Sequence, residues 1–303
     1  MTVSIFINSA GPNVIEENIF DTLSSFKQDS CFKEFYFYYV VDTQSNYQKV
    51  KNALDKLRFS NSIDVKIDNS SWANCYNKFY DEYGKKSDYI ILSHDDLKIE
   101  AKDFYQKTKK IIENSIENIG WVTFTNTGYY KQFNIPLSNS VREGFCIDRN
   151  NKYLFECHKF SNNELFSEHK LALPSKPVKC HAPFTHLVLF KPSVLGKLAY
   201  CEDWSPYTLL IDEDWGLSSL MNNFTNVWIP EISYIHPLRY SERSIKDIRY
   251  SSSVHEKFLK KWDWNFSFGG YSDDYINNIK KNFSQTNLCM SIGKFSYDWQ
   301  YIK

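Results

Sequence analysis

Two adjacent carboxylates, Asp95 and Asp96, close the segment Ser87-Asp-Tyr-Ile-Ile-Leu-Ser-His94-Asp95-Asp96-Leu97, in which an apolar strand runs straight into acid. Carboxylates are hard oxygen ligands. A divalent cation held between them and a diphosphate offsets the repulsion that otherwise keeps anionic phosphate away from Asp. These residue types, in this place, point to nucleotide-diphosphate chemistry. A second acidic group, Asp212-Glu213-Asp214, heads the apolar pattern Trp215-Gly-Leu-Ser-Ser-Leu-Met. The helix dipole alone favours acids there. Asp42 and His236 likewise stand where apolar runs stop. Each has a purely structural alternative: Asp95 as a helix cap ahead of Leu97-Lys-Ile-Glu, Asp42 as a strand terminator, His236 as a satisfied core histidine.

The elements that must position these groups alternate strand and helix over the first 125 residues, the pattern of βαβ units and a mostly parallel sheet. Strands are expected over 3–7, 35–41, 63–67, 89–92 and 121–124, and helices over 14–26, 47–57, 72–83 and 101–116. Residues 35–41 are nearly all apolar, as in a central strand covered on both faces. In open α/β sheets ligands bind beyond the carboxyl ends of the strands. Residues 8–13, 42–45 and 93–96 then share one rim. Residues 125–180 lose clear period, which marks either a lid or acceptor segment or elements that the pattern does not reveal. Strands return over 186–190, 227–229 and 232–235, with a short helix over 192–198 between the first two. A helical, polar and aromatic extension follows from 241 to 303.

Composition narrows the partners. The 36 basic and 36 acidic side chains cancel, so no long-range field draws the chain to nucleic acid or an anionic bilayer. Aromatic residues make up 17% of the chain, enough for some rings to line a sugar groove as well as fill a core. The seven cysteines are odd in number and scattered, against a disulfide framework. Cys157-His158 and Cys180-His181, with His169 between them, raise a zinc site, but no Cys-x-x-Cys spacing supports it and free thiols in a reducing compartment fit better. The first residues lack the basic start and cleavage site of a secretory signal, and no run approaches a membrane span. A cytoplasmic protein is expected, with at most peripheral contact at the inner face of the membrane.

Assembled, these residues resemble a bacterial glycosyltransferase of the GT-A fold, and most closely the inverting family 2 group. The resemblance covers about residues 1–240, as a nucleotide-sugar-binding and catalytic domain. The opening strand and loop, with Asn8 and Ala10, look like that family's first nucleotide-contacting segment. Val40-Val41-Asp42-Thr43-Gln44-Ser45 looks like its second strand, whose terminal Asp contacts the base. Trp72-Ala-Asn74-Cys-Tyr-Asn77 is similar to its Gly-x-Ala-x-x-x-Asn helix start, without the Gly. His94-Asp95-Asp96 sits at the place of its Asp-x-Asp, with His94 replacing the first acid. Asp212-Glu213-Asp214 resembles its Glu-Asp pair, and Lys261-Trp262 resembles a Lys-Trp ending common in the group.

The resemblance implies a sugar moved, with inversion, from a nucleotide-diphosphate sugar to a hydroxyl of a glycan or lipid-linked glycan, with Mn2+ or Mg2+ as cofactor. Asp96 is expected on the metal, Asp95 on the ribose or a metal-bound water, and His236 as a third metal ligand. Asn8, Ala10, Asp42, Asn74, Asn77, His94 and Asp95 would contact the nucleotide sugar. Asp214 would be the base and Glu213 would orient the acceptor. Trp215 would offer a sugar platform, and His181, which with His186 flanks Ala-Pro-Phe-Thr ahead of a strand, an acceptor contact. A UDP-sugar donor and a role in bacterial surface polysaccharide or lipooligosaccharide synthesis follow from the resemblance alone. Two rivals stand beside it. A nucleotidyltransferase would carry a Gly-rich, basic phosphate loop, whereas 8–13 has one Gly and no basic residue. A noncatalytic carbohydrate-binding protein on the same fold is made thinkable by His94.

Overall fold

The computed structural model describes residues 2–11, 14–126, 140–148, 153–160, 176–180, 185–194, 214–216, 218–219, 222–236 and 302. One mixed sheet organises them, in the order β3-β2-β1-β4-β10-β6-β11-β5. These strands are β1 (Val3–Ser9), β2 (Phe35–Val41), β3 (Ile63–Ile67), β4 (Tyr89–Ser93), β5 (Lys98–Ile99), β6 (Ile119–Asn126), β10 (Leu187–Phe190) and β11 (Thr225–Ile235). A hairpin of β7 (Ser140–Asp148) and β8 (Tyr153–Phe160) extends from β6, and β9 (Val178–Cys180) pairs with β11. Strands β3, β2, β1 and β4 run parallel, as do β6 and β11. Between these two groups β10 is antiparallel to both β4 and β6.

Alternation along the strands explains why both faces are covered. Side chains one residue apart point to opposite faces. Ile5, Ile7, Phe37, Tyr39 and Ile91 fall into one core with Ile19, Leu23 and Phe26 of α1 (Glu16–Lys27) and Val50 and Leu54 of α2 (Gln44–Leu57). Phe6, Tyr38, Val40, Ile90 and Leu92 fall into the other, with Ala73, Cys75, Tyr76 and Phe79 of α3 (Trp72–Glu82). The first face also takes Phe104, Tyr105 and Ile112 of α4 (Phe104–Asn114). Burying a side chain such as Phe79 stabilises the fold by roughly 2–3 kcal/mol.

Local signals set the helix ends near the rim. Thr43 Oγ1 accepts from Asn46 N at 3.2 Å to open α2, and Ser71 Oγ accepts from Asn74 N at 3.2 Å to open α3. Both caps satisfy a first-turn donor that would otherwise lack an intrahelical partner.

The structure differs from the sequence expectation in three places. Within 125–180, read as irregular, β7 and β8 form an antiparallel hairpin whose register shifts between Arg142 and Gly144, which breaks the two-residue period a strand is recognised by. The two short strands expected over 227–235 are one strand, β11, with a register jump between Ile229 and Ser233. Pro230 lies inside that jump, where its missing N–H costs no ladder bond. The helix expected over 192–198 begins as a 3-10 turn, Pro192–Val194, and residues 195–198 lie outside the described residues. So do 241–301, and with them the expected helical extension and Lys261-Trp262. No helix of the described residues is long and apolar enough to cross a membrane.

Candidate functional site

Strand register brings the polar residues together at one rim. Ser9 pairs with Val41, so β1 and β2 end level, while Ser93 pairs with Ile7, so β4 stops two residues earlier at the same edge; Ala10, Asp42 and His94 follow their last residues. Because β10 runs antiparallel, its amino end is at this same edge: Leu187 pairs with Ser93, and His186 precedes it. Strand β11 runs parallel to β6 and ends at Ile235, which pairs with Lys98, so His236 is carried beside the segment that follows Asp96.

Three imidazoles, His94, His186 and His236, and a carboxylate converge there. His94 Nδ1 lies 3.1 Å from His236 Nε2, and His236 Nε2 lies 3.0 Å from Asp96 Oδ1. The His186 and His236 rings stack at 4.2 Å between centroids, and ligand atoms of all three histidines fall within 4.8 Å of one another. Main-chain bonds fix the frame: His94 N donates to His186 O at 2.8 Å, and His236 N donates to Asn126 Oδ1 at 3.1 Å.

The protons of this cluster do not satisfy it alone. One hydrogen on His236 Nε2 cannot point well at both the His94 nitrogen and the Asp96 oxygen. If His94 donates instead, a bare Nε2 lone pair faces the carboxylate. A cation among these atoms would take all three lone pairs, so the residues present fit a metal. His236 is buried, and its Nδ1 has no hydrogen-bond partner among the described residues.

Behind the cluster, burial and the neighbouring Asp96 raise the Asp95 carboxyl to about 6, while the Ser9 hydroxyl and His236 pull it back. Ser9 Oγ in turn meets Tyr39 Oη at 2.6 Å. The burial of Tyr39 and the charge of Asp95 hold that phenol well above its usual range. Next along the rim, Asp42 ties down the first loop. Its Oδ2 accepts from Gly11 N at 2.7 Å and its Oδ1 from Asn46 Nδ2 at 2.7 Å, while Asn46 Nδ2 also reaches Gly11 O at 3.1 Å. Gly11 has φ 97°, a left-handed conformation that glycine enters without a Cβ penalty.

The other expected residues are placed as follows. Asn8 and Ala10 are partly exposed at the end of β1. Asn74 is in the first turn of α3, after β3 has ended at the rim, and Asn77 lies further along the same helix with a buried Oδ1 that has no hydrogen-bond partner among the described residues. Asp214 is 1% exposed and opens a helical turn in which its carbonyl accepts from Ser218 Oγ at 2.7 Å. Glu213 and His181 lie outside the described residues.

Trp215 is a correction. It is 2% exposed and stacked on Trp121 at 5.1 Å, with Trp72 at 5.3 Å and Tyr76 at 5.8 Å, so its faces fill the core and offer no platform to a sugar. A hub holds this turn in place. Asn226 Oδ1 accepts from Ser219 Oγ at 2.7 Å and from Trp121 N at 3.2 Å, and Asn226 Nδ2 donates to Gly216 O at 3.1 Å. Gly120 makes the close approach possible, since a Cβ there would meet Ser219 Oγ at 2.3 Å and Phe224 Cβ at 2.8 Å. Gly120→Ala should therefore cost about 1–3 kcal/mol. Urea unfolding checks it: the midpoint should fall with an unchanged slope, and an unmoved midpoint would contradict the packing described.

The sequence alone assigns no metal role to His186. Its only signal was a position just ahead of a strand, which marks this rim only once β10 is known to run antiparallel.

Comparison with solved structures finds this fold in glycosyltransferases. A mannosyltransferase from Pyrobaculum calidifontis, PcManGT, in complex with GDP-Man and Mn2+, matches with a TM-score of 0.55 at 11% identity, over 87% of this chain and 65% of that one. GalNAc-T7 with UDP, GalNAc and Mn2+ matches at 0.53 and 10%, over 93% and 55%. S. aureus TarS 1-349 in complex with UDP-GlcNAc matches at 0.53 and 10%, over 95% and 76%. The chain thus spans less than two thirds of the length of the first two. No family model matches the chain, and no curated protein matches it in sequence. The architecture is the GT-A fold of glycosyltransferases, with a mostly parallel sheet flanked by helices.

Proposed function

We propose that this protein is a metal-dependent glycosyltransferase that moves a sugar from a nucleotide-diphosphate donor to a hydroxyl of a glycan or lipid-linked glycan, with inversion. One observation carries the reading: Asp96, His94 and His236 meet at the carboxyl rim of β4 and β11, beside the Asp42-bound first loop. That rim is where open α/β sheets bind nucleotides, and the structural neighbours were solved with GDP-Man, UDP or UDP-GlcNAc.

In this reading Asp96 and His236 would hold Mn2+ or Mg2+, and Asp95 would meet the ribose or a water on the ion. The ion, when bound, supplies Lewis-acid stabilisation of the departing diphosphate. Asn8, Ala10 and Asp42 receive the base, and Asn74 and Asn77 line the donor side. Asp214 accepts the proton of the acceptor hydroxyl as that oxygen attacks the anomeric carbon, and Glu213 and His181 orient the acceptor. A UDP-sugar is the first donor to test, and bacterial surface polysaccharide or lipooligosaccharide synthesis the first setting. The protein would act in the cytoplasm, with peripheral contact at the inner face of the membrane where the acceptor is lipid-linked.

The experiment is release of free nucleotide from UDP-, GDP-, CDP- and dTDP-sugars, with and without Mn2+. Turnover of one donor class, abolished by chelation, is expected. A noncatalytic binding protein would release none, and a nucleotidyltransferase would exchange pyrophosphate instead.

A further inference from the structure

We infer that β3 is a pairing edge for a second copy of this chain: two β3 strands meet antiparallel about a twofold axis at Val65, and the two sheets become one.

Among the described residues β3 stands at the end of the sheet, with β2 on one side and no strand on the other. Phe37 N donates to Ser62 O at 2.9 Å, and Asp68 N donates to Val41 O at 2.8 Å. With Ile63 in register with Phe37 and Ile67 with Val41, these bonds fix the phase of the strand. Asp64 and Lys66 turn their main-chain groups to β2, and Ile63, Val65 and Ile67 turn theirs outward. An outward row of N–H and C=O groups is a template for another strand. Ile67, on this edge, is 49% exposed, one of three large apolar side chains left open among the described residues.

The order of residues along the strand selects the partner. In Ile63-Asp64-Val65-Lys66-Ile67 the two charges are opposite in sign and symmetric about Val65. With Val65 opposite its own copy, Asp64 faces the partner's Lys66 and Ile63 faces the partner's Ile67. The outward residues then form the hydrogen-bonded pairs, and the charged residues form the intervening pairs, where side chains stand closest. Asp64 and Lys66 already lie 2.9 Å apart, on the face where Tyr83 Oη donates to Asp64 Oδ2 at 3.1 Å. The partner's pair completes a square of alternating sign. On the other face Ile63 and Val65, packed on the core that α2 covers, gain a continuous apolar ladder.

Other registers lose this match. Sliding the copy by two residues sets Asp64 against its own copy or Lys66 against its own, and a slide of one sets outward main-chain groups against inward ones. A parallel copy in register brings like charges together. Lysine on an edge strand ordinarily repels a neighbouring strand. Here Asp64 offsets that repulsion for one partner in one direction, as a closed, isologous contact requires. Antiparallel pairing also turns the two carboxyl rims to opposite ends of the joint sheet, so the two sites work separately. One strand pair buries less than the roughly 1,200–2,000 Å² of a stable interface, so a dimer with Kd on the order of 10–100 μM is expected.

The test is sedimentation equilibrium of the full chain at concentrations on both sides of that Kd. Wild type should dimerise. Asp64→Lys alone and Lys66→Asp alone each set like charges opposite one another and should weaken association about tenfold or more. Mixing these two variants should give a heterodimer, and both substitutions in one chain should restore the homodimer. Val65→Pro, whose lost N–H serves no ladder bond within the monomer, should abolish pairing. Thermal unfolding shows whether each variant is folded. Should they not fold, amide hydrogen exchange of the wild type still decides: Ile63, Val65 and Ile67 should slow as concentration rises, while Asp64 and Lys66, bonded to β2 throughout, should change little. A wild type that stays monomeric, a dimer indifferent to the charge changes and to Val65→Pro, folded single variants that fail to pair when mixed, or exchange that slows equally in both sets of residues would overturn the inference.

Discussion

Asp96→Ala should abolish metal-dependent nucleotide binding and, with it, sugar transfer. Asp96 supplies the carboxylate of the cluster and stands 3.0 Å from His236 Nε2. Its removal leaves imidazoles to face a diphosphate with one fewer anionic ligand for the ion. Losing a direct ligand should weaken metal affinity by at least about a hundredfold, since even supporting residues cost roughly ten- to a hundredfold. Turnover should fall on the order of a thousandfold, because the ion's stabilisation of the leaving group is worth several kcal/mol and each 1.36 kcal/mol is about a decade in rate. Calorimetric titration of UDP with and without Mn2+ separates the two losses. The variant should bind nucleotide equally weakly in both conditions, while the wild type should gain from the metal. If Asp96→Ala keeps a metal-enhanced affinity, Asp96 is not a ligand.

Asp214→Asn should produce the opposite split. The substitution conserves shape at a buried position and removes only the proton acceptor, so nucleotide binding should stay within about twofold while turnover drops by roughly 10²–10⁴. Packing supports its use as a probe: the turn that carries Asp214 is pinned by Asn226 and seated against Gly120. Thermal unfolding beside the kinetics shows whether the turn has held. Transfer near the wild-type rate would remove Asp214 from the mechanism, and a matching loss of nucleotide affinity would make it structural.

The strands that build the rim were legible because their chemistry is one-dimensional. Phe35–Val41 is an unbroken apolar run that ends in an acid, and Tyr89–Ser93 repeats the device with Asp95 and Asp96. Such runs state both the covered strand and the edge at which it stops. The histidine cluster was not legible as a whole, because His94 and His236 are 142 residues apart and only the antiparallel course of β10 brings His186 between them. A mostly parallel sheet, read from the sequence, puts a residue ahead of a strand at the opposite edge. The zinc reading that the sequence invites pairs histidines with neighbouring cysteines; of those, Cys180 is in β9, and the rest of that set lies outside the described side chains. Trp215 misled for a related reason. A tryptophan next to acids at a helix head looks exposed, and nothing nearby in sequence announces that Trp72, Tyr76 and Trp121 close over it. Aromatic richness was thus informative about mass in the core and silent about which rings meet solvent.

Anomalous diffraction from a crystal of this protein grown with Mn2+ and UDP tests the central claim most directly. The account predicts a manganese peak within bonding distance of Asp96 and His236, with the diphosphate on its open side and the uracil toward Asp42. A peak elsewhere, or nucleotide bound away from these side chains, would contradict it.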